Sequence, residues 1–209
     1  MKKITLLDYG MGNVQSLFNA IKFIGYDPEF FSETKRINSN ICFIPGVGAF
    51  NHAMQLLKKE NIINMILEFS KNQNNLLIGI CLGMQILFEE STENKNTKGL
   101  NLIKGKVVKL SEQKINRLPN VGWKETFFRE HIHYNFLNKF NNEKFYYIHS
   151  YKTVPHNINN NIAYSIYNGL EFCSFSSNEK NNVLGIQFHP EKSGEVGLEF
   201  LKSLINSKL

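Results

Sequence analysis

A single thiol stands between two glycines in Gly79-Ile80-Cys81-Leu82-Gly83, where the apolar run Leu76-Leu77-Ile78-Gly79-Ile80 gives way to helical spacing at Leu82, Gln85, Ile86 and Glu89. A short continuous apolar run is the pattern of a central parallel strand covered on both faces. Gly-x-Cys-x-Gly is then the thiol version of the strand-to-helix elbow that lifts a nucleophile above a sheet. A side chain at either glycine would crowd the turn. A helix starting at Leu82 would aim free N–H groups and its positive end at the sulfur, favouring a thiolate that a free cysteine populates only to a few per cent near neutral pH. The Leu82 N–H would serve as one oxyanion donor. A buried structural cysteine fits the same letters.

A nucleophilic thiol needs a base. In Leu184-Gly185-Ile186-Gln187-Phe188-His189-Pro190-Glu191-Lys192-Ser193 an apolar strand runs out at a histidine. Pro190 biases His189 toward extended backbone, in which residues i and i+2 share a face, so Glu191 is placed to orient the imidazole and stabilise its charged form. A third strand end, Ile44-Pro45-Gly46-Val47-Gly48-Ala49-Phe50, offers flexible backbone N–H groups to an oxyanion beside Cys81. Alone, the histidine is a strand end and the Pro-Gly-Val-Gly segment a turn. Strand ends that meet above one parallel sheet lie where such folds place their sites.

The elements that would position these groups alternate in the first half of the chain. Ile4–Gly10 reads as a strand, and 13–26 as a helix capped by Asn13 and stopped by Gly25. Short strands follow at 28–32 and 41–46, then an amphipathic helix over 50–70 with a kink before Ile62, then the strand to Cys81. Such alternation predicts an α/β fold, a mostly parallel sheet with helices on both faces. After residue 98 β-branched and aromatic segments dominate (99–110, 143–154, 161–168, 170–177, 181–190), and a helix over 194–207 closes the chain. These predict mixed or antiparallel strands appended to the parallel sheet within a single domain, 1–209. Asn-rich segments at 138–143 and 157–161 read as surface loops.

A chain of 209 residues buries roughly 70% of its unfolded surface, so it needs neither disulfide nor metal to hold a core. Cys42, Cys81 and Cys173, odd in number and widely spaced, point to reduced thiols and a cytoplasmic location. The opening Met1–Gly10 has too short an apolar run for a signal peptide, and no segment reaches the roughly 20 apolar residues of a membrane span. The net charge of +6 comes from scattered lysines without a nucleic-acid motif. His131-Ile132-His133 lacks a third ligand for a metal. Asp8-Tyr9-Gly10-Met11-Gly12-Asn13 lacks the third glycine of a dinucleotide loop and reads as a turn.

Four motifs taken together, PGVGAF, GICLGMQ, FYYIHSY and QFHPEKS, resemble in order and spacing the class I (triad) glutamine amidotransferases, and within them the glutaminase subunits of imidazole glycerol phosphate synthase. The likeness spans essentially the whole chain. It implies a Cys81–His189–Glu191 triad that forms a thioester with glutamine and releases ammonia, with no cofactor and no metal. It implies substrate and oxyanion contacts from Gly46, Val47, Gly48 and Leu82. Gln85 and the backbone around His149, Ser150 and Tyr151 would hold glutamine's amino-acid end. It also implies a (β/α)8-barrel cyclase partner making imidazole glycerol phosphate and an aminoimidazole carboxamide ribotide in histidine biosynthesis, with Asn13, Trp123 and Lys192 expected at the interface. One run departs from the usual Leu-Pro-His-Met-Gly-Trp-Asn. Here it reads Leu118-Pro119-Asn120-Val121-Gly122-Trp123-Lys124, which is expected in a loop near the partner surface. That departure keeps a second acceptor open, an amino sugar of a surface-glycan pathway.

Overall fold

The computed structural model describes residues 2–110, 117–130 and 133–207. The first strands are β1 (Lys3–Leu6), β2 (Asp27–Phe30), β3 (Ile41–Ile44) and β4 (Leu76–Ile80), separated by α1 (Val14–Phe23), a single turn α2 (Phe31–Thr34), α3 (Phe50–Lys59) and α4 (Ile62–Lys71). The central strands β3 and β4 are apolar throughout because both faces are covered. In β3, Ile41 and Phe43 pack into one core while Cys42 and Ile44 pack into the other. Asn13 caps α1, its side-chain oxygen accepting the Ser16 N–H at 3.3 Å. The kink expected before Ile62 is a full break, with Asn61 in the left-handed conformation at φ 56°.

After β4 come α5 (Leu82–Ile86), β5 (Glu90–Ser91), β6 (Thr97–Lys98), β7 (Gly105–Lys109), β8 (Asn120–Phe128), β9 (Lys144–His149), β10 (Tyr151–Pro155), β11 (Asn161–Tyr167), β12 (Leu170–Ser177), β13 (Val183–Ile186) and α6 (Gly194–Asn206). The main sheet has the order β2-β1-β3-β4-β13-β12-β11-β8-β9. It is parallel from β2 through β13 and antiparallel from there to β9, as the change in sequence character at residue 98 predicts. A second sheet, β10-β7-β5-β6, holds the remaining strands. The segment read as one strand over 143–154 breaks at Ser150, where β9 leaves the main sheet and β10 joins the other. No helix among the described residues is long and apolar enough to cross a membrane.

The Leu118–Lys124 run is mostly strand, not loop. Pairing of Asn120 with His149 and of Val121 with Ile148 starts β8 beside the end of β9. Alternation then turns Asn120 fully inward and leaves Val121 and Trp123 about half exposed. His133 is exposed, and His131 lies outside the described residues.

Candidate active site

β4 and β13 run side by side and parallel, so the residues that follow both strands emerge at the same sheet edge. Cys81 sits at φ 56°, ψ −109°, a strained conformation for a residue with a side chain. Its N–H is tied to the Ile186 carbonyl at 2.7 Å, which joins the elbow to β13. Both elbow glycines are sterically required. A Cβ on Gly83 would lie 1.7 Å from the Ile44 carbonyl oxygen, and one on Gly79 would lie 2.4 Å from that of Gly83. The helix beyond is one short turn and a half, not the longer helix that the spacing to Glu89 predicts. Its last carbonyls are taken by a neighbouring loop, Leu100 N–H reaching Ile86 O at 2.8 Å and Leu102 N–H reaching Leu87 O at 2.9 Å. So short a helix adds little dipole to the sulfur.

His189 follows β13, its N–H held by the Tyr146 carbonyl at 2.8 Å. The imidazole Nδ1 lies 2.7 Å from Glu191 Oε1, and both side chains are nearly excluded from solvent, 4% and 6% exposed. The contact arises differently from the expected extended pairing: Pro190–Lys192 forms one 3-10 turn that folds the carboxylate back onto the ring. Burial works against the charged imidazole. The negative charge and hydrogen-bonding capacity of Cys81, and then of Glu191, outweigh it and raise the pKa to about 10. Among the described residues no group stands at hydrogen-bonding geometry to the buried Nε2. While protonated the thiol reaches the Ile148 carbonyl at 3.6 Å, and as a thiolate it acts on the ring through its charge. Hydrogen bonds between catalytic groups are commonly long before substrate arrives.

A cavity of about 410 Å³ opens over Cys81, lined by the predicted Val47, Gly48, Leu82, Gln85, His149, Ser150 and Tyr151, with Lys192 also on its wall. His149 donates Nδ1–H to the Tyr151 carbonyl at 2.8 Å, and Asn120 Nδ2 stands 3.0 Å from its Nε2. Burial pushes the His149 pKa down to about 4, so the ring is a neutral strut. Asn120, expected near the partner surface, is therefore part of the packing behind the substrate wall. Glu93, Pro119 and Ile148 also line the cavity and were not anticipated from the sequence. Glu93 sits in a Ser-Thr-Glu-Asn stretch that reads only as a helix breaker. In the fold one carboxylate oxygen accepts the Phe50 N–H at 2.7 Å at the start of α3.

The oxyanion groups are not arranged as the motif alone suggests. The Leu82 N–H donates to the Gly46 carbonyl at 3.2 Å, so a carbonyl oxygen sits where the oxyanion donor was expected to be free. The Asp8–Asn13 turn backs onto this loop: a Cβ on Gly12 would come 3.1 Å from Val47 N. Asn13 and Trp123 are exposed and do not line the cavity.

The family model for class I glutamine amidotransferases matches residues 5–205. The imidazole glycerol phosphate synthase subunit HisH of Caldanaerobacter subterraneus subsp. tengcongensis is 40% identical over 202 residues, covering 96% of each chain. That of Lactococcus lactis is 38% identical, covering 98% of each. The chloroplastic hisHF protein of Arabidopsis thaliana is 37% identical, and the match takes in 99% of this chain but only 34% of that longer protein. Among solved structures, PurLQS from Thermotoga maritima superposes with a TM-score of 0.73 at 19% identity, covering 98% of both chains, a likeness of fold. The chain belongs to the class I glutamine amidotransferases, among subunits of the HisH type.

Proposed function

We propose that residues 1–209 form a single glutaminase domain, cytoplasmic in location, that hydrolyses glutamine at Cys81 and passes the ammonia to a (β/α)8-barrel cyclase. The observation that carries this reading is the alignment of sulfur, buried imidazole and buried carboxylate at one sheet edge beneath a cavity. Cys81 attacks the side-chain carboxamide carbon, and His189 takes the thiol proton at Nε2 and returns it to the departing nitrogen. Water then cleaves the thioester to glutamate. Glu191 holds the ring with Nε2 turned to the sulfur and stabilises it when charged. Gln85, Ser150 and Tyr151 hold the amino-acid end of glutamine, and Glu93 is well placed for its ammonium group.

Before attack the Gly46–Val47 peptide turns over. That moves the Gly46 carbonyl off Leu82 and points both N–H groups at the developing oxyanion. The need for this turn-over predicts low activity without a partner. The cyclase docks on the rim where Val47, Val121, Trp123 and Ile148 are each 38–50% exposed, beside Lys192 and with Asn13 nearby. Ammonia is mostly protonated in neutral water and non-nucleophilic in that form, so a closed interface keeps it reactive. The relatives that cover the full chain carry the imidazole glycerol phosphate synthase name, which supports that product and a place in histidine biosynthesis. Nothing favours the amino-sugar acceptor: of its three signals, Asn120 is buried packing.

The test is reconstitution. Supplied with the phosphorylated ribulosyl substrate, chain and cyclase together form imidazole glycerol phosphate with glutamine as the nitrogen source, and the chain alone yields little glutamate. If the mixture consumes glutamine without that product, the acceptor is wrong. Trp123 stands edge-on to Tyr146 at 6.2 Å, half exposed, as an anchoring aromatic does. Trp123→Ala is expected to weaken association about thirtyfold in a calorimetric titration.

A further inference from the structure

We propose that Gln187 holds the Cys81 sulfur for reaction by donating an amide N–H to it, a role that rests on the glutaminase reading and deepens it. The direction of each hydrogen bond follows from a single carbonyl. Tyr151 O can only accept, so the Gln85 atom 3.1 Å away is the amide nitrogen. The same nitrogen lies 3.2 Å from Gln187 Oε1, which fixes the oxygen of Gln187 toward Gln85. The Gln187 nitrogen is thereby aimed at Cys81 Sγ, at 3.8 Å. Gln187 is fully buried, with both ends of its amide engaged.

The backbone makes this placement firm. The Gln187 N–H is held by Ser174 O at 2.9 Å and the His189 N–H by Tyr146 O at 2.8 Å. With these two N–H groups tied, Gln187 and His189 both face the sulfur while Phe188 turns into the core. An apolar side chain of similar length would fill the same volume. Only the amide supplies a donor, and a donor is stronger toward anionic sulfur than toward a neutral thiol. Gln187 therefore favours the thiolate without carrying charge. It also keeps its proton throughout the cycle, unlike His189, and so supports sulfur again as the leaving group when water cleaves the thioester.

The test is iodoacetamide alkylation of the full chain between pH 6 and 9, with peptide mapping at residue 81, for wild type, Gln187→Met and Gln187→Glu. At neutral pH the methionine variant is expected to alkylate about tenfold more slowly at Cys81, with its rate profile moved to higher pH and an unchanged plateau. The glutamate variant, equal in shape but bringing a carboxylate to the sulfur, is expected to be slower still. Buried Cys42 and Cys173 report folding by staying unlabelled. Should the methionine variant expose them, the isosteric glutamate variant decides alone. Profiles that superimpose on wild type in folded variants overturn the role of Gln187. They leave the glutaminase reading intact, because alkylation requires neither glutamine nor turnover.

Discussion

In a Cys81→Ala variant assembled with the cyclase, glutamine-driven synthesis is expected to fall by more than about four orders of magnitude, while synthesis from added ammonium salt persists. The asymmetry follows from where the residue sits. Cys81 is the only sulfur among the described residues that meets both the cavity and the His189 charge, since Cys42 and Cys173 are walled into the core. Alanine removes the atom that would carry the acyl group, and no neighbouring side chain can replace it. Ammonia supplied from outside bypasses that step and needs only the cyclase. Its rate should rise with pH as ammonium gives up its proton. Steady-state assays with the two nitrogen sources separate the outcomes, and loss of both activities would argue against the role assigned to Cys81, because the ammonium-driven reaction needs only the cyclase.

The second large effect belongs to Glu191. Glu191→Gln is expected to lower kcat/KM for glutamine about a thousandfold with a small change in KM. Glutamine is isosteric, so the 2.7 Å contact to His189 Nδ1 can survive in form. What is lost is the negative charge that keeps a proton on Nδ1 and helps the ring hold at Nε2 the proton given up by sulfur. The same substitution changes stability with pH. The folded His189 pKa is raised from 6.5 to about 10, so the native state binds this proton more tightly than the unfolded chain. That stabilisation is fully present below about pH 6.5 and is lost as pH rises through about 10. Removing the Glu191 charge lowers the folded value. Chemical denaturation between pH 6.5 and 10 should therefore show a shallower decline in the variant than in wild type. An unchanged slope would mean Glu191 does not set the charge on the ring.

The parts of the site that were legible in the sequence are those fixed by local stereochemistry. Gly79 and Gly83 could be read as an elbow because each occupies a place where a Cβ would strike backbone. The run at Leu76–Ile80 could be read as a doubly covered strand because its residues alternate between two cores. His189 and Glu191 were correctly brought together, though by a turn at Pro190 that the i, i+2 pattern does not reveal. Features that depend on distant partners were not legible. Whether the Leu82 N–H is free is decided by the Gly46 carbonyl, and where α5 stops is decided by the loop at 99–103. Asn120 looked like surface because its neighbours are surface, and only its register against His149 turns it inward. Glu93 carried no signal, since its role depends on the N-terminus of α3 lying against it. Nor do the two-residue strands of the second sheet leave a periodicity to read.

Sulfur, imidazole and carboxylate acting in series on a carboxamide is what the whole account needs, and covalent labelling addresses it most directly. The chain, with its cyclase bound, is incubated with a diazoketone analogue of glutamine and then mapped by mass spectrometry, with and without excess glutamine. The expected result is one adduct per chain, on Cys81, suppressed by glutamine and lost on removing the imidazole in His189→Ala. An adduct on another residue, or labelling of Cys81 that glutamine does not slow, would contradict it.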